Sequence, residues 1–260
     1  MRRALPKSFV RRILRAIIEF DLLQEGDRVL MGLSGGKDSQ LMVYALSTVV
    51  KHLPFEVELG ALTIDLGFPE APVNEVVLKE FCDQFQIPHY TLHTELSQVI
   101  FNHPRQGPCA QCAYFRRGVF NKFAKEQGYN KIALGHHHDD AVVTFFMGLL
   151  YNGKMQTFLP LTELDQSGMT IIRPLVYLRE KEIIRLGREL GLEPIKSPCP
   201  VDKTTKRQET KELIENLSKT VPDLYNNLAC AMHADKAGDL WPRELTKAEI
   251  WEKSKSFWKR

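Results

Sequence analysis

Ser34-Gly35-Gly36-Lys37-Asp38-Ser39 lies between a short apolar run, residues 29–33, and a helical-looking stretch, residues 40–52. A strand, a tight glycine turn and a helix start in that register call for an α/β arrangement with the turn at a strand end. Two glycines let the backbone approach a ligand closely and adopt turn geometries barred to other residues. The helix start behind them offers unpaired N–H groups and a positive dipole end. Ser34 and Ser39 add hydroxyl donors, and Lys37 adds a mobile charge. Such a nest suits a phosphate group. The spacing is too short for a Walker A loop, and Asp38 would repel a phosphate unless it binds a metal ion or an N–H group. An ordinary Gly-Gly turn is the plain alternative; strand, motif and helix in register weigh against it.

The rest of the chain repeats the alternation. The pattern predicts a basic amphipathic helix over 7–23 and strands over 55–65, 88–93, 131–135 and 170–173. Between and after them it predicts helices over 72–86, 113–127, from the 136–140 run to about 151, and 179–190. The expected fold is α/β, a doubly wound, mostly parallel sheet. The loop starting at Ser34, Asp65 and the Gly135–Asp140 run then fall at strand ends and face one crevice. After Gly191 the pattern changes to a loop, 193–206, and helices without a further strand, with Trp241, Trp251 and Trp258 in an appended helix. The expected division is an N-terminal basic helix (1–24), a central nucleotide-binding unit with a Cys-x-x-Cys insertion (25–195), and a C-terminal loop and helical tail (196–260).

A chain of 260 residues can bury a sizeable core, and 43% hydrophobic with 26% charged residues is ordinary for a soluble globular protein. The net charge of +3 is unevenly spread: residues 1–15 hold six Lys or Arg and no acid, and residues 103–131 hold six against Glu126. Such a local surface can hold phosphates, though a solvated lysine face would look the same. Arg11, Arg12, Arg15 and Glu19 interrupt the apolar residues near the N-terminus, so that stretch reads as a helix and not as a signal sequence. No uninterrupted apolar run is long enough for a membrane span. Five cysteines without secretory context point to a reducing cytoplasm and to metal or redox chemistry.

Cys109-Ala-Gln-Cys112 opens a helix, and Cys199 lies far downstream in Ser-Pro-Cys-Pro. Zinc, an iron–sulfur cluster or a redox dithiol all use such a pair. Structural zinc wants four protein ligands, and the set here has three unless His103 joins it. Three thiolates on a [4Fe-4S] cluster would leave one iron free for an exogenous ligand. Cys82 and Cys230 sit in apolar helical patterns and are expected to be buried packing residues. His136, His137 and His138 look like a metal site, but consecutive residues after a strand point in different directions and cannot easily ligate one ion, so structural roles or roles supporting a ligand from behind are expected for them. Asp139 and Asp140 are better candidates for magnesium on bound phosphates, a helix-start carboxylate pair being the plain alternative. Asp65 is either a ligand contact or a strand-end polar residue.

The six-residue loop resembles the PP-loop of ATP pyrophosphatases, which split ATP between its α and β phosphates and adenylate a substrate. With CAQCAYFRRG (109–118), LGHHHDDAVVTFF (134–146), YNGKM (151–155), RPLVYLREKEI (173–183) and the SPCP cysteine, the chain resembles the tRNA 2-thiocytidine synthesis family. The likeness covers roughly residues 25–235, in the family's order. It implies a Rossmann-like PP-loop ATP pyrophosphatase fold with helical extensions at both ends, and an ATP-dependent tRNA sulfurtransferase. ATP–Mg²⁺ would bind at Ser34, Gly35, Gly36, Lys37, Asp38 and Ser39, with Asp65, Gly135 and Asp140 completing the site. Lys37, Asp38, Asp139 and Arg116 would carry the chemistry, and Cys109, Cys112 and Cys199 a [4Fe-4S] cluster. The implied partners are tRNA, a sulfur donor (a cysteine desulfurase or free sulfide) and a second copy of the chain. Arg116 and Arg117 would hold RNA or ATP phosphates. Two positions depart from the family pattern: Val143 stands where members tend to carry glutamate, and Cys199 stands alone where many carry a pair.

Overall fold

The computed structural model describes residues 4–68, 73–102, 107–164, 168–195, 199–200, 205–233 and 245–258. The central sheet contains β1 (Arg28–Gly32), β2 (Glu58–Asp65), β3 (His89–His93), β4 (Lys131–Ala133), β5 (Leu161–Leu164) and β6 (Met169–Ile172). Their order across the sheet is β3-β2-β1-β4-β6-β5. Met31 at the centre faces Ala61 on one side and Ala133 on the other, both in parallel register. Among the described strands only β5, at the edge, runs antiparallel, to β6. The order reverses between β1 and β4, so the crevice outside their carboxyl ends is the natural ligand position.

Two cores sandwich the sheet. The period of two along β1 sends Val29 and Met31 to one face and Leu30 to the other. On the first face α1 (Lys7–Glu19), α2 (Lys37–Val49), α3 (Glu75–Asp83) and α7 (Glu180–Leu190) bury Ile13, Leu46, Leu78 and Leu186. On the second, α5 (Pro108–Glu126) buries Phe120 and Ala124 against Leu62, Ile132 and Ile171. Beyond the sheet, α6 (His138–Asn152) meets α8 (Lys206–Thr220), and Val142 and Val143 pack on Ile214. Val143 is thus a packing residue, which accounts for an apolar side chain at that position. The remaining helices are α4 (Leu96–Asn102), α9 (Leu224–Ala231) and α10 (Lys247–Phe257).

The mostly parallel doubly wound sheet and its flanking helices match the sequence expectation; several boundaries do not. Helix α1 stops at Glu19, and Asp21 takes a positive φ of 50°. The short α4 was not legible, nor was β5. Helix α5 starts at Pro108, which is well suited to a first helical turn, so Cys109 and Cys112 lie inside the helix. The third helix runs from Glu75 to Asp83, shorter at both ends than the expected 72–86; residue 72 of that range lies outside the described residues, as do His103 and Trp241. Cys82 is buried as expected, but Cys230 is exposed. Helix α9 buries no residue fully, so an apolar pattern there does not place the thiol in a core. Trp251 and Trp258 in and after α10 are also exposed. Among the described residues no helix is long and apolar enough to cross a membrane.

Candidate functional site

The glycine turn leaves β1 and enters α2. Gly35 has φ +78°, and a Cβ there would meet the Ile195 side chain at 3.1 Å, so both its backbone and its neighbour require glycine. Gly36 is the N-cap of α2. Ser34 N–H donates to Ser39 Oγ at 3.2 Å, and Ser39 Oγ donates to Gly36 O at 2.9 Å, which fixes the turn from within. The segment before Cys199 fastens it from outside. Ile195 N–H donates to Gly35 O at 2.9 Å, and Gln40 Nε2 donates to both Gly35 O and Glu193 O. The N–H groups of the first turn of α2 remain directed along the helix axis into the crevice.

Lys37, the first residue of α2, is engaged on both sides: its Nζ lies 2.8 Å from Asp38 Oδ2 and 3.0 Å from Glu180 Oε1. Burial opposes its charge, but the two carboxylates outweigh burial and hold its pKa above the ordinary lysine range. Glu180 is also paired with Lys211 of α8. Burial works against its ionisation, yet Lys211 and Lys37 keep it below the usual glutamate range.

His137, Asp139 and Asp140 meet this group from the start of α6. Gly135 passes so near α2 that an added Cβ would lie 3.0 Å from the Asp38 carbonyl atoms. That contact explains its glycine without any ligand. The buried His137 caps α6: its Nδ1 accepts from Asp140 N–H at 3.4 Å, while Asp140 Oδ2 accepts from His137 N–H at 3.0 Å. With Nδ1 turned to the Asp140 N–H, Nε2 lies 3.6 Å from Asp38 Oδ1 and 3.4 Å from Asp140 Oδ2. Two carboxylates from different helices therefore converge on one imidazole edge. Burial raises the Asp140 pKa, but His137 and Arg207, whose guanidinium is 2.7 Å away, bring it below the ordinary aspartate range.

Asp139 is used differently. Both of its oxygens accept from Arg179, at 3.1 to 3.2 Å, and Oδ2 also accepts from Glu180 N–H at 2.8 Å. The carboxylate is filled by these donors and ties α6 to α7. That geometry gives Asp139 an anchoring role; Asp38 and Asp140 are engaged as well, by Lys37 and by Arg207, but each partner is a mobile cation at the rim of the loop. His136 Nδ1 accepts from Arg173 Nε at 3.3 Å, and burial lowers its pKa to about 4. His138 Nδ1 is buried with no hydrogen-bond partner among the described residues.

On the other side of the loop, a cavity of about 410 Å³ is lined by Ser34, Gly36 and Asp65 from the strand ends and by Cys109, Cys112, Arg116 and Cys199. Phe68 and Phe101, with ring centroids 5.9 Å apart, form its apolar wall. Asp65 Oδ1 accepts from Gly67 N–H at 2.9 Å, and Oδ2 is 3.3 Å from His93 Nδ1, so it is a strand-end residue that also borders the cavity. Burial raises the Cys112 thiol pKa, and the neighbouring Arg116 guanidinium acts against that rise. Among the described residues no three His, Cys, Asp or Glu side chains already stand together in metal-holding positions. Cys109 and Cys199 lie near enough to Cys112 to raise its pKa further. Three soft sulfur donors beside a guanidinium fit an iron–sulfur centre in donor chemistry.

Glu180, Arg179, Arg207 and Lys211 belong to the site and were not singled out in the sequence. Glu180 and Arg179 sit in the RPLVYLREKEI segment, a usable signal; Lys211 and Arg207 lie in a polar helix with nothing to mark them.

A model of the PP-loop domain (ATP_bind_3) matches residues 6–215. The chain is 36% identical to the tRNA-cytidine(32) 2-sulfurtransferase of Alcanivorax borkumensis, over 95% of this chain and 86% of that one. It is 35% identical to the protein of the same name from Citrifermentans bemidjiense, over 91% and 93%. Among solved structures it resembles the U34-tRNA thiolase NcsA from Methanococcus maripaludis with its [4Fe-4S] cluster. The TM-score is 0.70 at 24% identity, covering 95% of this chain and 87% of that one, a likeness of fold.

Proposed function

The chain belongs to the tRNA-cytidine(32) 2-sulfurtransferase family of PP-loop proteins, and from that membership we propose that it is an ATP-dependent tRNA sulfurtransferase acting on a cytidine of the anticodon loop. ATP binds at residues 34–39, its phosphates facing the N–H groups at the start of α2 and the Lys37 ammonium. The cytidine C2 oxygen attacks the α phosphorus, the α–β bridging bond breaks and pyrophosphate leaves. Sulfur then displaces AMP at C2. Asp38 and Asp140 would hold the Mg²⁺ that neutralises the phosphates, with His137 fixing their separation. Positioning and charge neutralisation are the protein's contribution.

Cys109, Cys112 and Cys199 would hold a [4Fe-4S] cluster at the cavity. Bound there, it supplies an iron with an open position for sulfide, delivered by a cysteine desulfurase or as free sulfide. Arg116, beside the Cys112 thiol, moderates charge between the thiols and the incoming RNA. The cavity's apolar wall suits a base turned out of a single-stranded loop. The chain works in the cytoplasm as a homodimer.

One observation carries this reading: the nucleotide loop and the three cysteines border the same cavity of about 410 Å³. Protein purified without oxygen is expected to contain about four irons and four sulfides per chain. With ATP, Mg²⁺ and sulfide it should form 2-thiocytidine in tRNA, detected by nucleoside mass spectrometry, and Cys199→Ala should lose both cluster and product. Full thiolation by Cys199→Ala, or one zinc and no sulfide in the native protein, sinks the cluster assignment.

A further inference from the structure

Lys37 is shared between two carboxylates, and the second belongs to a chain of ion pairs that leaves the loop altogether. Glu180 Oε1 takes Lys37 at 3.0 Å, while Oε2 takes Lys211, a residue of the C-terminal helix α8. The Glu180 side chain is only 17% exposed. A poorly hydrated carboxylate beside a phosphate site repels the ligand and holds back the lysine meant for it, unless its charge is offset. Lys211 supplies that offset. The two lysines and the carboxylates of Asp38 and Glu180 sum to no net charge, and phosphate can take over Lys37 while Glu180 keeps a cation. Helix α8 also grips Asp140, through Arg207 at 2.7 Å.

We propose that Glu180 is a positioning residue that aims Lys37 across the phosphate loop, and that Lys211 sets how readily Lys37 is released to the phosphates. The proposal rests on the reading that ATP occupies residues 34–39. It makes a helix downstream of the third cysteine a determinant of nucleotide affinity.

The test is calorimetric titration of the full chain with α,β-methylene-ATP and Mg²⁺ in the absence of tRNA, alongside tRNA-dependent AMP release with ATP. Lys211→Met should raise the Kd for the analogue about tenfold, because Glu180 then pulls on Lys37 alone. Glu180→Gln should leave the Kd unchanged or tighten it while lowering kcat about tenfold, because Lys37 loses its aim. The pair Glu180→Gln/Lys211→Met should return the Kd to within about twofold of wild type, a coupling that general loosening of the fold would not produce. Lys211→Arg, which keeps the charge, should bind as wild type. Wild-type affinity in Lys211→Met, or a double variant weaker than Lys211→Met, overturns the proposal for Lys211. Unchanged kcat in Glu180→Gln overturns it for Glu180. Failure of the wild-type chain to bind the analogue removes the ATP reading itself, a result distinct from wild-type binding with unaltered variants.

Discussion

Gly135 shows how a neighbouring backbone can require one residue type. Its Cα faces the Asp38 carbonyl and Ser39 N–H closely enough that a Cβ would sit 3.0 and 3.2 Å away. Gly135→Ala must push α2 from β4, and is expected to cost about 1–3 kcal/mol of stability and to weaken nucleotide binding. Gly118, inside α5, has open space around it. Gly118→Ala should therefore stabilise by roughly 0.5–1 kcal/mol. Urea titration of both variants checks the pair, and equal effects would remove the close-approach argument. At this scale the sequence was legible where local chemistry dominates. The glycine turn between β1 and α2 and the buried Cys82 follow from local pattern. Asp139 and Cys230 did not, because Arg179, 40 residues away in sequence, claims the one carboxylate, and α9 meets its neighbours without burying the other side chain.

Among the elements, the strands that carry the site were readable because each is a parallel strand buried on both faces, with an apolar run ending in Gly32, Asp65 or Leu134. Strand β5 was not. Its four residues are only partly buried and pair antiparallel at the edge, where neither an apolar run nor full alternation is demanded. Helix α4 has seven residues, too few for a period to declare itself. Helix α1 announced its amphipathic face but not its partner. Ile13 is fully buried in the larger core, and Arg12 pairs with Glu182 of α7 at 2.7 Å. The basic N-terminal helix is thereby a structural wall of the nucleotide half. Ile13→Ala should destabilise the whole chain by about 2–5 kcal/mol, whereas Ile18→Ala, on the exposed face, should stay within roughly 0.5 kcal/mol. A lower urea midpoint at unchanged slope for the first variant alone is the expected record. A separate early transition would mean that α1 does not share the core.

For the molecule as a whole, the buried imidazoles set a pH limit. Burial lowers His136 to about 4 and holds His89 below the ordinary histidine range. Thr63 Oγ1 donates to Leu33 O at 2.7 Å, so at 2.8 Å it accepts from His89 Nε2–H, which suits the neutral ring. The folded pKa lies below the unfolded one, so the unfolded chain takes up protons that the native chain refuses. The stability these rings lend is complete above about pH 6.5 and is lost as pH falls toward 4; for His136 it is on the order of 3 kcal/mol. Asp140, Glu180 and Glu182, all below their ordinary ranges, add a further loss at lower pH. The melting temperature should fall from pH 7 to pH 5, and His136→Gln should flatten that slope; a level profile in the native chain would contradict the assignment. Across the same molecule, the bond from Ile195 N–H to Gly35 O has a different bearing. It joins the turn that meets the phosphates to a stretch only four residues short of Cys199. The two chemistries are therefore not interchangeable modules. If the cysteines hold the cluster as proposed, a graft of Cys109, Cys112 and Cys199 alone onto another member of the superfamily omits this bond, so a chimera that includes Ile195 is expected to work better than one without it.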